Sequence, residues 1–522
     1  MSHIESIIQQ ATSDPKRGTP GLVFQAVDRN GNILSSVASG LRSLDDKAPM
    51  TPDTIFWIAS CTKLVTSIAL MQLFEQGTAD LDSADQLEEV VPEMAEVKIL
   101  EGIDSNGKEI VRDKKNRITL RMLQTHTAGF GYTFFSHDLW ARIGQDPQKD
   151  EFQGTLSGFQ QPLEFEPGTN RAYGVNIDWV GVFIERITGQ SLGAYFREHI
   201  FNPLGIHNTA FVTQGEMRQK LAGMHSRSED GVVRGIPHPY KPARTEMAEA
   251  ETFHSGGGGL LSNAPDYCQL LATLLNDGTS PLTHARLLQK PTIDQMFSPQ
   301  LPTWESSYAT AGCPISRPDL VNVALEDGLP LTGRQNWGLS FLLEGENLQR
   351  GSAPGLSNCW WELDRERGVG GVLLSQVLPF GDPVVGPLWV EVMGRVYAGE
   401  EQVAGGDGAK NCATSGKPPV DPLTAADPES EDESDPEDVL LQALMGEDEY
   451  KDGVSDNGKD VEEFDDETLL NSDSKGLGLE KMLLPPMSKN DKEDPLECFK
   501  DHLAYIIQGL KAMSKDTLPA DI

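Results

Sequence analysis

Residues 50–77, MTPDTIFWIASCTKLVTSIALMQLFEQG, hold a serine and a lysine three positions apart, Ser60 and Lys63, where an apolar segment begins. After the lysine, apolar residues recur at helical spacing, at Leu64, Ile68, Met71 and Phe74. Gly77 ends this pattern, so we predict a helix that begins near the serine. Two interpretations of the pair stay open at this point: a nucleophile with its proton partner, or a helix cap followed by a solvent-facing lysine.

The chemistry of this pair depends on its surroundings. A serine hydroxyl is a poor nucleophile at neutral pH and needs a base within hydrogen-bond reach. Positions i and i+3 share a helix face, so Lys63 can reach Ser60, and the helix dipole favours an oxyanion near the helix start. The S-x-x-K pattern alone often arises by chance. Here the apolar residues on both sides favour burial, and a buried lysine loses its proton more readily.

Strand signals lie near both ends of the first 400 residues, and helix signals lie between them. In residues 21–40 two apolar runs flank Asn30-Gly31, which predicts a β-hairpin with a type I′ turn. Residues 358–380 predict two further strands, and residues 387–399 predict a closing helix. Helical patterns occupy 118–129, 174–189 and the stretch that follows the glycine run 256–259. We therefore predict an α+β fold whose sheet is assembled from both ends, with a helical region inserted.

The charge of the chain is unevenly distributed. The 522 residues carry a net charge of −36, and residues 401–522 contain 31 acidic but only 11 basic side chains. In DPESEDESDPED, residues 427–438, eight of twelve residues are acidic, which predicts disorder. We therefore expect a folded domain at 1–398 and an acidic, mostly disordered tail at 399–522, in which 496–513 forms a docking helix or a transient one. The acidic body argues against nucleic-acid binding.

The six cysteines are scattered, with no C-x-x-C pair and no metal-ligand spacing. Reduced thiols in a cytoplasmic protein are the simplest interpretation. The N-terminal residues predict a short amphipathic helix and lack the pattern of a secretory signal. No apolar stretch reaches the length of a membrane span. We expect no membrane association, no metal and no cofactor.

Several further blocks follow the S-x-x-K segment in order. They are ITLRMLQTHTAG (118–129), FEPGTNRAYG (165–174), FNPLGIHNTAF (201–211) and GGGGLLSNAPDYCQLL (256–271), with a late strand pair. Together they resemble the serine β-lactamase/penicillin-binding-protein family over roughly residues 5–398. The resemblance implies an antiparallel sheet flanked by helices, as in β-lactamases and DD-peptidases, with the site between the sheet and the helical region.

The resemblance also assigns roles to three residues. Ser60 would be the nucleophile, and Tyr173 would take its proton together with Lys63. A free tyrosine has a pKa near 10, so Tyr173 needs a neighbouring cation, which Lys63 would supply. Taken alone, Tyr173 would be interpreted as a buried aromatic residue with a satisfied hydroxyl.

The sequence departs from the family in two motifs. Class C members have Tyr-x-Asn, whereas here Asn176 is displaced by one position, which argues against β-lactam hydrolysis. The usual Lys-Thr-Gly of the strand beside the nucleophile is matched by Ala353-Pro354-Gly355, so the lysine that would bind a substrate carboxylate is absent.

The remaining candidate residues surround the proposed nucleophile. Gly355 would let substrate approach the strand closely, and the N–H groups of Ser60 and Leu356 would form the oxyanion hole. Trp337 lines an acyl pocket or packs in the core. A Ser–His pair with His126 is conceivable, but the histidine is expected to be structural. The glycine run lacks a phosphate-binding fingerprint and is expected to let backbone approach the site.

The departures resemble the fungal transesterase branch of the family, of the lovastatin-acyltransferase-like type. Shared features are the WIASCTK start, the 113-residue spacing from serine to tyrosine and the ending SQVLPFGD at 375–382. This implies an acyltransferase that moves an acyl group from a thioester donor, often on a polyketide synthase carrier domain, to a hydroxyl of a small secondary metabolite. The alternatives are a serine esterase of the same family, and a catalytically silent scaffold that binds partners through the acidic tail.

Overall fold

The computed structural model describes residues 2–245, 247–301, 314–325 and 334–399. The acidic tail beyond residue 399, with its segment 496–513, lies outside the described residues. Within them, no helix is long and apolar enough to cross a membrane.

The strands and the helices are numbered separately, each set in chain order. The strands are β1 Gly21–Asp28, β2 Ile33–Gly40, β3 Phe56–Trp57, β4 Lys98–Ile103, β5 Glu109–Asp113, β6 His225–Arg227, β7 Val233–Gly235, β8 Leu261–Ser262, β9 Gln335–Trp337, β10 Leu342–Glu344, β11 Arg350–Gly355, β12 Cys359–Asp364, β13 Val369–Leu374 and β14 Val377–Leu378. The helices are α1 His3–Thr12, α2 Thr62–Glu75, α3 Ala84–Val90, α4 Glu93–Glu96, α5 Leu120–Gln124, α6 His137–Arg142, α7 Asn176–Thr188, α8 Leu192–Phe196, α9 Asn202–Leu204, α10 Gly215–Gln219, α11 Lys241–Arg244, α12 Ala264–Leu275, α13 Lys290–Met296 and α14 Val385–Ala398.

The main sheet joins the two ends of the folded region. Its seven strands lie in the order β2-β1-β13-β12-β11-β10-β9, and every neighbouring pair is antiparallel. Strand β1 pairs with β13, so that Val23 lies opposite Leu374 and Asp28 opposite Val369. The predicted α+β class, with a sheet assembled from both ends and a helical region between them, is confirmed.

Strand β1 is buried on both faces. Leu22, Phe24 and Ala26 point towards α1 and α14, where Phe24 meets the ring of Trp389 at 6.4 Å. Val23 and Val27 point to the opposite face, which α12 covers. A strand covered on both faces reads as a continuous apolar run, which is why residues 21–27 show so little polar alternation.

The hairpin at residues 21–40 forms as predicted, but its turn is not type I′. That turn needs a positive φ at both central residues, and only Gly31 has one, at +79°. The Asp28 carboxylate accepts hydrogen bonds from the N–H groups of Asn30 and Asn32 at 2.9 and 2.8 Å. This side-chain contact favours an Asx-type turn, and Gly31 follows it in the left-handed conformation.

Helix α2 lies in the interior of the helical region. Its residues are buried continuously from Thr62 to Leu73. It packs against α7 and α8, and the short turn that precedes it contacts β11 and β12 of the sheet. The residues at its start are therefore enclosed between the sheet and the inserted helices.

A buried ion pair ties the N-terminal segment to the last helix. Arg227 and Asp382 have side chains that are 6 % and 0 % exposed, and Arg227 Nε donates to Asp382 Oδ2 at 2.6 Å. Arg227 also donates to the carbonyl oxygen of Gly18 at 2.7 Å. Asp382 Oδ1 accepts from the N–H of Val385 at 3.0 Å, at the start of α14.

Asp382→Ala should lower the free energy of unfolding by about 3–5 kcal/mol, because it leaves the Arg227 guanidinium buried without its counter-charge. Asp46→Ala, at the exposed pair of Arg42 and Asp46, should lower it by less than about 1 kcal/mol. Urea unfolding of both variants measures the difference, and equal losses would contradict the structural role of the buried pair.

Candidate active site

Ser60 lies in a single 3₁₀ turn, Ala59–Cys61, that leads directly into α2. The residue before it, Ala59, has a φ of +43°, a left-handed conformation that costs a non-glycine residue about 1–3 kcal/mol. The Ser60 hydroxyl caps neither the turn nor α2, so the helix-cap interpretation is wrong. A costly backbone conformation beside a hydroxyl that caps no helix indicates a functional constraint on that hydroxyl.

Lys63 is buried, with 1 % of its surface exposed, so the solvent-facing interpretation is also wrong. Its Nζ lies 3.0 Å from Ser60 Oγ, 3.0 Å from the Tyr132 hydroxyl and 2.7 Å from the Gly257 carbonyl oxygen. An ammonium donates to all three oxygens, whereas a neutral amine donates to two and accepts the Ser60 proton. This geometry suits a lysine that acts as the base for the serine.

Tyr132 is the residue of this cluster that the sequence motifs do not single out. Its partner Lys63 is 69 positions away, and the only local signal is the aromatic stretch FGYTFF at 130–135. Burial raises the pKa of Tyr132 well above its usual value, so its hydroxyl is protonated at neutral pH. It can therefore accept a hydrogen bond from Lys63 Nζ, which leaves the lone pair of the neutral amine free for the Ser60 proton.

Tyr173 lies on another side of the same lysine. Lys63 Nζ is 4.6 Å from the centre of the Tyr173 ring, and the rings of Tyr132 and Tyr173 are 5.7 Å apart. The structure thus brings Ser60, Lys63 and Tyr173 together, with the hydrogen bond between Ser60 and Lys63 and the ring contact as the links.

His126 supports the Tyr173 segment. Its ring lies 4.5 Å from that of Tyr173, and its Nδ1 lies 3.0 Å from Asn176 Nδ2 and 3.4 Å from the Gly174 nitrogen. Burial lowers the pKa of His126 well below its usual value, so the ring is neutral. Asn176 also donates to the carbonyl oxygen of Phe130 at 2.9 Å and is fully buried, away from the pocket.

The end of β11 packs directly on the nucleophile turn. A Cβ at Gly355 would lie 2.5 Å from the carbonyl oxygen of Ile58. Close packing of the strand on this turn, and not room for substrate, is therefore the immediate requirement for glycine. Leu356 lines the same pocket as Ser60.

Trp337 packs beneath the tyrosine and is not among the residues that line this pocket. Its ring meets those of His126 and Tyr173 at 5.7 and 6.5 Å, and Arg171 stacks on it at 3.9 Å. Its Nε1 donates to the carbonyl oxygen of Gln124 at 3.3 Å. These contacts agree with core packing, and the acyl-pocket role of Trp337 stays a prediction.

The pocket at Ser60 has mainly aromatic walls. They are formed by Trp57, Tyr132, Phe134, Phe152, Phe159 and Tyr240. Glu151 also lines the pocket, and its carboxyl oxygens accept from the N–H and the hydroxyl of Thr133 at 3.1 and 2.8 Å. Burial raises the pKa of Glu151 to about 8, so this wall carries little charge at neutral pH. The lining next to Ser60 is therefore mainly aromatic and little charged.

The glycine run 256–259 brings backbone to the site, as predicted. The carbonyl oxygens of Gly256, Gly257 and Gly258 accept hydrogen bonds at 2.7 Å from Thr66, Lys63 and Trp57 respectively. A Cβ on Gly257 would lie 2.2 Å from Asp178 Oδ2, so a side chain does not fit there without displacing the aspartate.

Comparison with known proteins adds the family. A family model described as "Beta-lactamase" matches residues 4–388. The chain belongs to the β-lactamase family. Its relatives include serine acyltransferases and hydrolases, and the resemblance and the fold expected from the sequence are both confirmed.

Three relatives from this family show the range. Monacolin J acid methylbutanoyltransferase of Aspergillus terreus is 32% identical over 404 residues, which cover 74% of this chain and 93% of that protein. The lovastatin esterase of Penicillium rubens is 32% identical over 288 residues, or 54% of this chain and 69% of the esterase. The unliganded simvastatin synthase of Aspergillus terreus has a TM-score of 0.62 at 28% identity and covers 76% of this chain and 98% of its own.

Tyr132→Phe should reduce the rate at which a fluorophosphonate probe labels Ser60 by about tenfold, because it removes a hydrogen bond to a buried, chargeable amine. Tyr195→Phe is the matched control, since Tyr195 lies on α8 and its buried hydroxyl has no hydrogen-bond partner within the part of the chain that the structure describes. Thermal melting confirms that both variants fold. Equal labelling rates in the wild type and in Tyr132→Phe would show that Tyr132 does not assist this β-lactamase-family lysine.

Proposed function

We propose that the protein is an acyltransferase that moves an acyl group from a thioester to a hydroxyl of a small secondary metabolite through an acyl-Ser60 intermediate. The observation that carries the proposal is the buried Lys63 amine, 3.0 Å from a serine hydroxyl at an aromatic pocket. Ser60 is the nucleophile, and Lys63 and Tyr173 handle its proton.

The first half-reaction loads the enzyme. The Ser60 proton passes to Lys63 while Oγ attacks the thioester carbonyl carbon, so that an O–C bond forms and the carbonyl oxygen becomes an oxyanion. The N–H groups of Ser60 and Leu356 are the proposed donors to this oxyanion. When the C–S bond breaks, the departing thiolate takes up the proton from the Lys63–Tyr173 pair, and the acyl group stays on Ser60.

The second half-reaction is the same chemistry in reverse with a different nucleophile. The acceptor hydroxyl attacks the acyl-serine carbonyl and gives its proton to Tyr173 and Lys63. The bond between Ser60 Oγ and the acyl carbon then breaks, and Oγ regains a proton from the same pair. Proton count and charge are unchanged over the cycle.

Three observations favour transfer of an apolar acyl group. One relative, which this chain matches over more than nine-tenths of the relative's length, is named as a methylbutanoyltransferase. The aromatic walls disfavour bound water, which competes with the acceptor for the acyl-enzyme. At the position of the family's strand lysine the chain has Ala353, so this position offers no cation for the carboxylate of a β-lactam or a peptide.

The protein should gain the mass of one acyl group when incubated with acyl-N-acetylcysteamine thioesters, and intact-mass spectrometry detects this adduct. Ser60→Ala should abolish the adduct, because the nucleophile is gone. Ser157→Ala, at an exposed position, should leave it unchanged. Two results would refute acylation of Ser60 by thioesters. One is an adduct that persists in Ser60→Ala, and the other is a wild type that forms no adduct with thioesters of any acyl chain length.

A serine esterase is the second candidate, and it is favoured by the relative named as a lovastatin esterase. Both activities share the acyl-serine, and they differ in what removes the acyl group. Products formed from the acyl-enzyme with and without a small alcohol distinguish the two. For a transferase, we expect the ester to exceed the free acid when the alcohol is present, whereas free acid alone in both cases indicates an esterase.

A further inference from the structure

Asp178 is a buried acid behind the site that the sequence motifs do not mark. It lies in the first turn of α7 and is 1 % exposed. Its Oδ1 accepts from the Ser255 hydroxyl at 2.5 Å and from the N–H of Gly257 at 3.0 Å. The carbonyl oxygen of Gly257 accepts from Lys63 at 2.7 Å. A single residue thus links the carboxylate of Asp178 to the amine that contacts the nucleophile.

The second oxygen of Asp178 is buried and has no hydrogen-bond partner among the described residues. This oxygen, Oδ2, would be only 2.2 Å from a Cβ atom on Gly257. Burial raises the pKa of the Asp178 carboxyl, and the positive charge of Lys63 acts in the opposite direction. A carboxylate with one unsatisfied buried oxygen depends on a nearby positive charge, and Lys63 provides it.

Burial favours the neutral form of four other titratable groups near Lys63 in the described ranges. Burial lowers the pKa of His126 well below its usual value and raises those of Tyr132 and the Cys61 thiol well above theirs. Glu151, which acts on Tyr132 from the pocket wall, has its pKa raised to about 8 by burial. Among these groups, Asp178 is the carboxyl that is linked to the Lys63 amine through one peptide group.

We propose that Asp178 is the positioning residue for Lys63. It holds the Gly257 peptide whose carbonyl accepts from the amine, and its carboxylate is the counter-charge for the ammonium that forms when Lys63 takes the Ser60 proton. This inference rests on the proposed role of Lys63 as the base. In this role Asp178 contacts neither the substrate nor the reacting atoms. It acts through its hydrogen bond to Gly257 and through the charge of its carboxylate.

A purely structural role gives a different expectation. If Asp178 only satisfies Ser255 and the glycine run, an asparagine would do the same, since its amide oxygen can accept both hydrogen bonds. If the charge matters, asparagine keeps the shape and loses the function. Removing the carboxylate makes the ammonium less stable, so the neutral amine persists to lower pH while the proton transfer from Ser60 becomes harder.

The test is the pH dependence of Ser60 labelling by a fluorophosphonate, which needs an activated serine but neither a thioester nor an acceptor. For Asp178→Asn we expect the labelling rate on the plateau to fall by about tenfold and the acid limb of the profile to move to lower pH by about one unit. Asp266→Asn is the matched control, because Asp266 is also buried in the first turn of a helix, α12, and accepts from the N–H of Asn208 at 2.6 Å. It should leave the acid limb in place.

Gly257→Ala is the second variant, should Asp178→Asn fail to fold. Its added methyl group displaces the carboxylate, so the acid limb should move in the same direction. A folded Asp178→Asn or Gly257→Ala protein with an unmoved acid limb would overturn the inference, and so would a wild type that is not labelled at all. A labelled wild type that forms no adduct with thioesters would refute the transferase proposal alone.

Discussion

The burial of one chargeable amine is the constraint on which the rest of this site depends. A buried ammonium is stable only if its N–H groups find acceptors. Lys63 finds them in three separate segments: the turn that precedes α2, the stretch around Tyr132, and the glycine run. The need to satisfy this one side chain explains why those segments converge at the start of a helix that is buried along almost its whole length.

The sequence predicted those elements that depend on residues close together in the chain. The hairpin, helix α2 and helix α7 follow from apolar spacing and from glycines such as Gly189, which ends α7 in the left-handed conformation. Ser60 and Lys63 are three residues apart, so their contact follows from helix geometry. Family resemblance added Tyr173, which no spacing rule would have selected.

The sequence did not predict contacts between distant segments, nor a turn whose type is determined by one side chain. Tyr132 and Gly257 lie 69 and 194 positions from Lys63, and no periodicity links them. The type of the first turn was mispredicted because the Asp28 carboxylate, and not the Asn-Gly pair, determines it. The packing of the Trp337 indole on the Tyr173 ring is another contact between distant segments.

The pairing of β1 with β13 has a consequence for how the protein is made. Strand β1 pairs with β2 at once, but its other neighbour, β13, is synthesised about 340 residues later. Strand β11, which packs on the Ser60 turn, also comes late in the chain. During translation, the apolar surfaces of α2 and of the hairpin therefore stay exposed until these strands are made. Exposed apolar surface favours aggregation and binding by chaperones. The enzyme cannot acquire its nucleophile geometry gradually, since the turn that presents Ser60 is completed only when the C-terminal strands arrive.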